Sequence, residues 1–178
     1  MIDVGAAAQL ACLLEVSAPK PGNVSPGRPF DDTCYKDFLA SAAAIGGPMS
    51  GAGTRPVGDT VRLALDATAV WTRSNTNLGI VLLLAPLARA ASRATADGPL
   101  RDALRGVLDE TTRDDAREVY AAIRQVSPGG LGRADAQDVA DEPTVTLREA
   151  MRLAAERDTI AREDESGFEI TLDAGVPA

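Results

Sequence analysis

The sequence predicts an all-α protein, and three features indicate that fold class. Alanine dominates an apolar content of 45%, whereas aromatic residues make up only 3% of the chain. Alanine favours helices over strands, and its small side chain lets helices pack closely. Apolar residues also recur at helical spacing in most segments. Because 178 residues suffice for one domain with its own core, we expect a single multi-helix bundle with orthogonal packing.

Three helices are predicted in the N-terminal half of the chain. The first covers residues 3–17 and stops at the prolines that follow it. The second begins after Asp31 or Asp32, because either short carboxylate can satisfy the free N–H groups of a helix start. The third covers about residues 59–72, with one side formed by Val61, Leu65, Thr68 and Trp71.

The most apolar segment of the chain predicts the centre of the bundle. Residues 78–91 are apolar nearly all round, which is typical of a helix buried on all sides. Further helices are predicted to begin at Pro99 and after Thr112. The last begins at Thr146, which is followed three residues later by glutamate as in a capping box, and runs to about Arg162.

Composition and charge exclude several classes of function. The net charge of −8 repels nucleic acid and anionic membranes, so neither is an expected partner. The chain has no histidine, which excludes imidazole catalysis and histidine-ligated metal. Cys12 and Cys34 are too few for a disulfide framework. The start lacks a basic signal region, and the apolar run 80–87 is too short to span a bilayer, so we expect a cytoplasmic protein.

The first polar loop reads PKPGNV at residues 19–24. Two prolines restrict the backbone around Lys20, and Gly22 allows a close turn. One ammonium group presented from a stiff frame suits a phosphate oxygen. The alternative is a helix stop with a solvated lysine, and the isolated motif favours that alternative.

Acidic residues flank this loop on both sides. Asp31 and Asp32 can bind Mg²⁺ or orient a hydroxyl group as a base, although their spacing alone favours a helix cap with a solvated neighbour. Glu15 lies near the end of the first helix, where a carboxylate opposes the helix dipole and needs a partner. That partner can be Lys20 or a metal ion, and an exposed glutamate is the alternative.

The second polar loop reads SNTNLG at residues 74–79 and runs directly into the predicted central helix. At least one of its polar side chains is expected to cap that helix. The start of a buried helix is also an anion site, and asparagine amides can contact a base or a ribose hydroxyl. Gly79 permits a close approach of the ligand.

Two later segments are open to both a structural and a functional interpretation. The glycine-rich segment 129–132 is either an ordinary turn or a phosphate cradle. Arg157 and Asp158 can face a site, whereas Asp158 and Arg162 also have the spacing of an i, i+4 surface pair.

Taken in order, these motifs resemble the triphosphoribosyl-dephospho-CoA synthase family, and the resemblance spans nearly the whole chain. The segments that carry it are Glu15, 19–24, 30–32, 38–42, 75–79, 127–132 and 157–161. The resemblance implies an all-α transferase that uses ATP and 3′-dephospho-CoA. In that reaction the 2′-hydroxyl of dephospho-CoA attacks the ribose C1 of ATP and expels adenine. The product is the precursor of a prosthetic group of an acyl carrier protein.

The resemblance also implies roles for individual residues. The implied catalytic carboxylates are Glu15, Asp31 and Asp32. The implied ligands of Mg²⁺ are Glu15, Asp32 and Asp158. The residues implied to bind substrate or phosphate are Lys20, Asn23, Arg28, Asn75, Thr76, Asn77, Gly79, Gly129, Gly130 and Arg157.

The chain departs from the better-known members at three places. Phe30 replaces a histidine of the family pattern, and Asn77-Leu78 replaces a histidine–lysine pair. The family's chains are longer, so we expect this domain to be incomplete at its C-terminus. Two alternative functions follow: a divergent ATP-dependent transferase with another acceptor, and a non-catalytic helical nucleotide-binding module. Either can form a homo-oligomer.

Overall fold

A computed structural model describes residues 3–94, 98–126, 128–129 and 132–176. Within these ranges the chain folds into α-helices without a β-strand, which confirms the all-α class. The orthogonal arrangement of the helices stays a prediction. The helices are α1 Val4–Ser17, α2 Tyr35–Ala44, α3 Gly46–Ser50, α4 Val57–Ala69, α5 Leu78–Arg93, α6 Leu100–Asp109, α7 Arg113–Val126, α8 Leu147–Ala154 and α9 Thr159–Ser166.

Two short irregular turns complete the described structure. A 3₁₀ turn covers Ala52–Thr54, and a π-helical turn covers Ile170–Gly175. None of the helices in the described ranges combines the length and the apolar character that crossing a membrane requires.

Helix α5 is the centre of the bundle, as its all-round apolar pattern predicts. It packs against α1, α3, α4, α6, α9 and the 3₁₀ turn. Val81, Ala85 and Ala90 are completely buried. A helix with neighbours on every side derives its stability from apolar burial rather than from its own polar contacts.

The pair α4 and α7 shows why a small residue is needed where two helices meet. Gly58 N donates a hydrogen bond of 2.8 Å to the Asp115 carboxylate. The same carboxylate accepts bonds of 2.8 and 2.7 Å from the backbone N and the hydroxyl of Thr112. Asp115 therefore caps its own helix and also fixes the start of α4 against it.

The start of α2 and the end of α4 differ from the sequence-based expectations. Neither Asp31 nor Asp32 caps α2, because the helix begins later, with Cys34 at the cap position. The Asp37 carboxylate accepts a 2.8 Å bond from Cys34 N and takes over the capping role. Trp71 is 69% exposed rather than buried, because α4 ends before it and Trp71 leaves the helical register.

The predicted last helix is interrupted and forms α8 and α9. Its start is confirmed, since Thr146 Oγ1 accepts a 3.3 Å bond from Glu149 N. The interruption lies at Asp158, whose Oδ1 accepts a 2.9 Å bond from Ala161 N. An aspartate that bonds the backbone ahead of it begins a new helix instead of continuing the old one. The interruption gives the molecule an additional helix N-terminus.

The segment after α9 folds back through one carboxylate and one aromatic ring. Gly167 and Phe168 both have positive φ, at 73° and 64°. Phe168 is completely buried, and burial of its ring offsets the strain of a left-handed backbone. The Glu163 carboxylate accepts bonds of 2.9 and 3.1 Å from Ile170 N and Thr171 N.

Two glycine-to-alanine changes test the close contact between α4 and α7. A Cβ at Gly58 would lie 2.7 Å from backbone atoms of Asp115, whereas one at Gly106 in α6 meets no atom within 4 Å. We expect Gly58→Ala to lower the free energy of unfolding by about 1–3 kcal/mol through overpacking. We expect Gly106→Ala to raise it by about 0.5–1 kcal/mol. Urea unfolding measures both, and an equally tolerated Gly58→Ala would contradict the described packing.

Candidate functional site

A cavity of about 410 Å³ lies where α5, α7, α8 and α9 meet the loop that precedes α8. Its size falls within the roughly 300–1,000 Å³ of typical ligand pockets. Several residues predicted from separate motifs come together here. Those that line the cavity are Asn75, Gly79, Gly129, Arg157 and Asp158.

The N-termini of α5 and α9 both open into this cavity. Gly79 of α5 approaches Ile160 of α9 so closely that an added Cβ would lie 3.4 Å from the Ile160 side chain. Asn75 Oδ1 accepts a 3.2 Å bond from Leu78 N, which confirms that the polar loop caps α5. Helix N-termini carry partial positive charge, and Arg157 adds a full one. This rim therefore attracts anions.

The interior of the cavity is apolar, in contrast to its rim. Side chains from four helices form it, among them Leu82, Val119, Ile123, Met151 and Ile160. An apolar interior with a few polar groups at one side suits a ligand with an aromatic or aliphatic part and an anionic part.

One wall of the cavity comes from the loop before α8. Tyr120 OH donates a 2.7 Å bond to the Gln137 carbonyl and so attaches this loop to α7. The pKa of Tyr120 lies above its ordinary value, because the effect of burial outweighs the lowering effect of the nearby Arg157. Gln137 adopts a left-handed backbone with φ 52°, a conformation that occurs often at functional sites.

Backbone contacts keep the same wall in shape. The Asp138 carboxylate accepts bonds of 2.6 and 2.8 Å from Ala134 N and Ala140 N. These two bonds hold the pKa of Asp138 below its ordinary value. Asp138 therefore acts as an ionised brace for the loop.

A smaller cavity of about 230 Å³ lies on the other side of Asn75. Its lining residues are Leu65, Thr68, Ala69, Thr72, Arg73, Ser74, Asn75, Thr76, Asn77, Gln125 and Val126. Asn77 Nδ2 donates a 3.0 Å bond to Thr68 Oγ1, and the hydroxyls of Thr76 and Ser41 share another bond. Thr76 and Asn77 thus hold the loop in place, and their contact with a ligand stays a prediction.

The Lys20 loop lies outside both cavities. Lys20 pairs with the Glu15 carboxylate and also donates a 2.9 Å bond to the Glu15 carbonyl. This pair confirms Lys20 as the partner that Glu15 needs, and it places a cation at the C-terminal end of α1. Asn23 N bonds the Lys20 carbonyl at 3.3 Å, and Arg28 N bonds the Ser25 carbonyl at 2.9 Å.

A hydrogen bond connects the acidic segment at Asp32 to the second polar loop. Ser74 Oγ donates a 2.9 Å bond to the Asp32 carbonyl. Both Asp31 and Asp32 are exposed. Thr33 Oγ1 donates a 3.0 Å bond to Asp32 Oδ1. The acids therefore lie beside the loop that separates the cavities, without lining either one.

The three carboxylates expected to bind Mg²⁺ do not form one cluster. In the part of the chain that the structure describes, no three acidic or cysteine side chains are placed to hold a metal ion together. Glu15, Asp32 and Asp158 are thus distributed over two regions, and Mg²⁺ binding stays a prediction. Gly130 lies outside the described residues.

Asp158 and Arg162 do not form the expected surface ion pair with each other. Asp158 caps α9, and Arg162 Nε donates a 3.2 Å bond to the Ala155 carbonyl. Arg157, by contrast, is exposed at the cavity and forms no ion pair with any described residue. It is available to an anionic ligand.

The two cavities contain functional candidates that the motifs do not indicate. Tyr120, Gln137 and Gln125 lie outside every polar motif of the sequence. Tyr120 has helical spacing that predicts burial, and that pattern alone does not distinguish a core residue from the wall of a cavity. Arg73 directly precedes the second polar loop, and that position in the sequence is the feature that could have indicated a role in ligand binding.

These features define a helical protein whose central helix begins at a cavity with an anion-attracting rim and an apolar interior. The family model described as ATP:dephospho-CoA triphosphoribosyl transferase matches residues 1–178, which is the whole chain. The chain belongs to this family, as the ordered set of motifs predicts. No curated protein and no solved structure shows significant similarity to it.

Helix α9 contains a buried acid away from the cavity lining. Asp164 is 5% exposed, and its Oδ1 has no hydrogen-bond partner. Burial raises its pKa from 3.8 to about 7, although the nearby Arg148 lowers it. Arg148 Nη1 is also buried without a partner, while its Nε lies 3.2 Å from Asp109.

The pKa of Asp164 predicts a pH-dependent stability. A raised pKa in the folded state stabilises the fold below pH 4, and this contribution is lost as the pH rises to about 7. The loss is on the order of 4 kcal/mol, at about 1.4 kcal/mol per pKa unit. We expect Asp164→Asn to remove most of the difference in melting temperature between pH 5 and pH 8.

The composition makes this test specific. The chain has no histidine, so few other groups titrate in this interval. Glu165→Gln, an exposed change on the same helix, is the matched control and should keep the pH dependence of the natural chain. Equal pH dependence in Asp164→Asn and the natural chain would contradict the prediction.

Proposed function

We propose that the protein transfers the triphosphoribosyl group of ATP to 3′-dephospho-CoA and releases adenine. The observation that carries the proposal is the convergence of three separate family motifs on one cavity. Asn75 and Gly79 come from the second loop, Gly129 from the glycine-rich segment, and Arg157 and Asp158 from the break before α9. The match to the family over residues 1–178 supports the same reaction.

The reaction exchanges one bond at the ribose of ATP for another. The bond between C1 and adenine breaks, and a bond between C1 and the 2′-oxygen of dephospho-CoA forms. The hydroxyl proton leaves, and adenine departs with a proton, so the atoms balance. The protein has to position the two ribose groups and stabilise the positive charge that develops at C1.

The rim of the larger cavity supplies groups that suit this task. The N-termini of α5 and α9, together with Arg157, would bind the triphosphate. Asp158 uses one carboxylate oxygen to cap α9. We assign its other oxygen to the Mg²⁺ ion that accompanies the triphosphate. The Lys20 loop would contact phosphates that extend out of the cavity.

Mg²⁺ fits this arrangement although no three-carboxylate cluster exists in the described residues. Magnesium on a nucleotide usually needs only one or two carboxylates, since phosphates and water complete its shell. The free oxygen of Asp158 would be one such ligand. The ion would neutralise part of the triphosphate charge when bound.

The alternatives make different predictions for one assay. A transferase with another acceptor would release adenine from ATP without dephospho-CoA once its own acceptor is present. A nucleotide-binding module would bind ATP and release no adenine. The replacement of a histidine–lysine pair by Asn77-Leu78 is the feature that favours these alternatives.

Adenine release measured by chromatography tests the proposal and the role of Arg157. With ATP, dephospho-CoA and Mg²⁺, we expect adenine and a triphosphoribosylated product in equal amounts. Arg157→Ala should raise the KM for ATP about 10-fold or more, because it removes a charge-assisted contact. Arg105→Ala is the control, since Arg105 is 60% exposed on α6, in a 3.6 Å pair with Asp102. No adenine from the natural chain would remove the proposal.

A further inference from the structure

The smaller cavity beside Asn75 has the properties of a site for a single ring system. Its volume of about 230 Å³ is below the roughly 300–1,000 Å³ of pockets that hold a whole ligand. Leu65, Ala69 and Val126 give it apolar walls, and Arg73 gives it a planar cation that can stack on a ring. Arg73 is exposed and has no ion-pair partner among the described residues.

Three amide side chains line this cavity, and the two exposed ones have orientations that their own contacts determine. Asn75 uses Oδ1 to accept from Leu78 N, which leaves its Nδ2 group as a donor. Gln125 uses Nε2 to donate to the Asp66 carboxylate at 3.2 Å, which leaves its Oε1 as an acceptor. Among the three amides, Asn75 therefore offers a donor, whereas Gln125 and the buried Asn77, whose Nδ2 already donates a hydrogen bond, offer acceptors.

We propose that this cavity binds the adenine base of ATP and selects it by its 6-amino group. The 6-amino group of adenine would donate to Gln125 Oε1, and a ring nitrogen would accept from Asn75 Nδ2. A purine with a 6-oxo group would place an oxygen against the Gln125 oxygen, and two acceptors do not bond. A site that hydrogen-bonds one group rejects an analogue that lacks it.

The position of Asn75 connects this base site to the proposed reaction. Asn75 lines both cavities. Adenine in the smaller cavity therefore places the bond between base and ribose at the boundary, with the triphosphate toward the N-termini of α5 and α9. The leaving base and the retained sugar would occupy separate compartments. This inference rests on the proposed use of ATP.

Binding of free bases tests the site independently of turnover. Isothermal titration with adenine and with hypoxanthine, which carries a 6-oxo group, should show a preference for adenine of about tenfold or more. Asn75→Asp retains the oxygen that caps α5 but replaces the donor by an acceptor, so the preference should fall to near unity. Gln125→Leu, at an exposed position on α7, should have the same effect.

A conservative variant and the turnover assay complete the experiment. Gln125→Glu combined with Asp66→Asn keeps both the acceptor oxygen and the hydrogen bond between the two side chains, and should retain the preference for adenine. Equal binding of both bases by the natural chain, or an unchanged preference in both Asn75→Asp and Gln125→Leu, would overturn the inference. Adenine release from ATP without base selectivity would leave the proposed function intact. Base selectivity without adenine release would support the inference and reject the proposed function.

Discussion

The central helix α5 begins inside the molecule, and much of the candidate site follows from that constraint. The first N–H groups of any helix lack partners within the helix. Because α5 is surrounded by other helices, these groups have to be satisfied by protein side chains or by a ligand. Asn75 satisfies one of them, through Leu78 N. The buried start of α5 thus explains why the preceding loop is polar. It also explains why an anion-attracting rim forms at the N-terminus of the helix.

The interruption between α8 and α9 adds a second helix N-terminus to the same cavity. An uninterrupted helix up to Arg162 would present its side, rather than its end, to the cavity. Asp158 ends that possibility by capping Ala161 N, so a second helix N-terminus opens toward Gly79. Two partial positive charges then act at one place. The charged motif at residues 157–158 therefore contributes to the candidate site in two ways. Its side chains carry charge, and the cap formed by Asp158 creates the N-terminus of α9.

The fold class, the central helix and the cap at Thr146 could be predicted from the sequence, because each depends on local pattern and composition. The break at Asp158 could not, since a helical pattern continues across it and an aspartate can either stay on the helix surface or cap a new helix, as it does here. The polar motifs predicted part of the site. They did not indicate Gln125 or Tyr120, because an ordinary helical residue becomes part of a cavity only through packing. Separation of Lys20 from the cavity is likewise a property of the folded chain.

Charge explains why such a protein would depend on helix ends to bind a polyanion. The chain carries a net charge of −8 and contains only two lysines, one of which pairs with Glu15. Its overall field therefore repels a triphosphate. Helix N-termini and Arg157 reverse that field locally, because screening confines each charge to about 8–10 Å at physiological salt. In the proposed reaction, Mg²⁺ bound to the triphosphate would reduce the remaining repulsion between that substrate and Asp158.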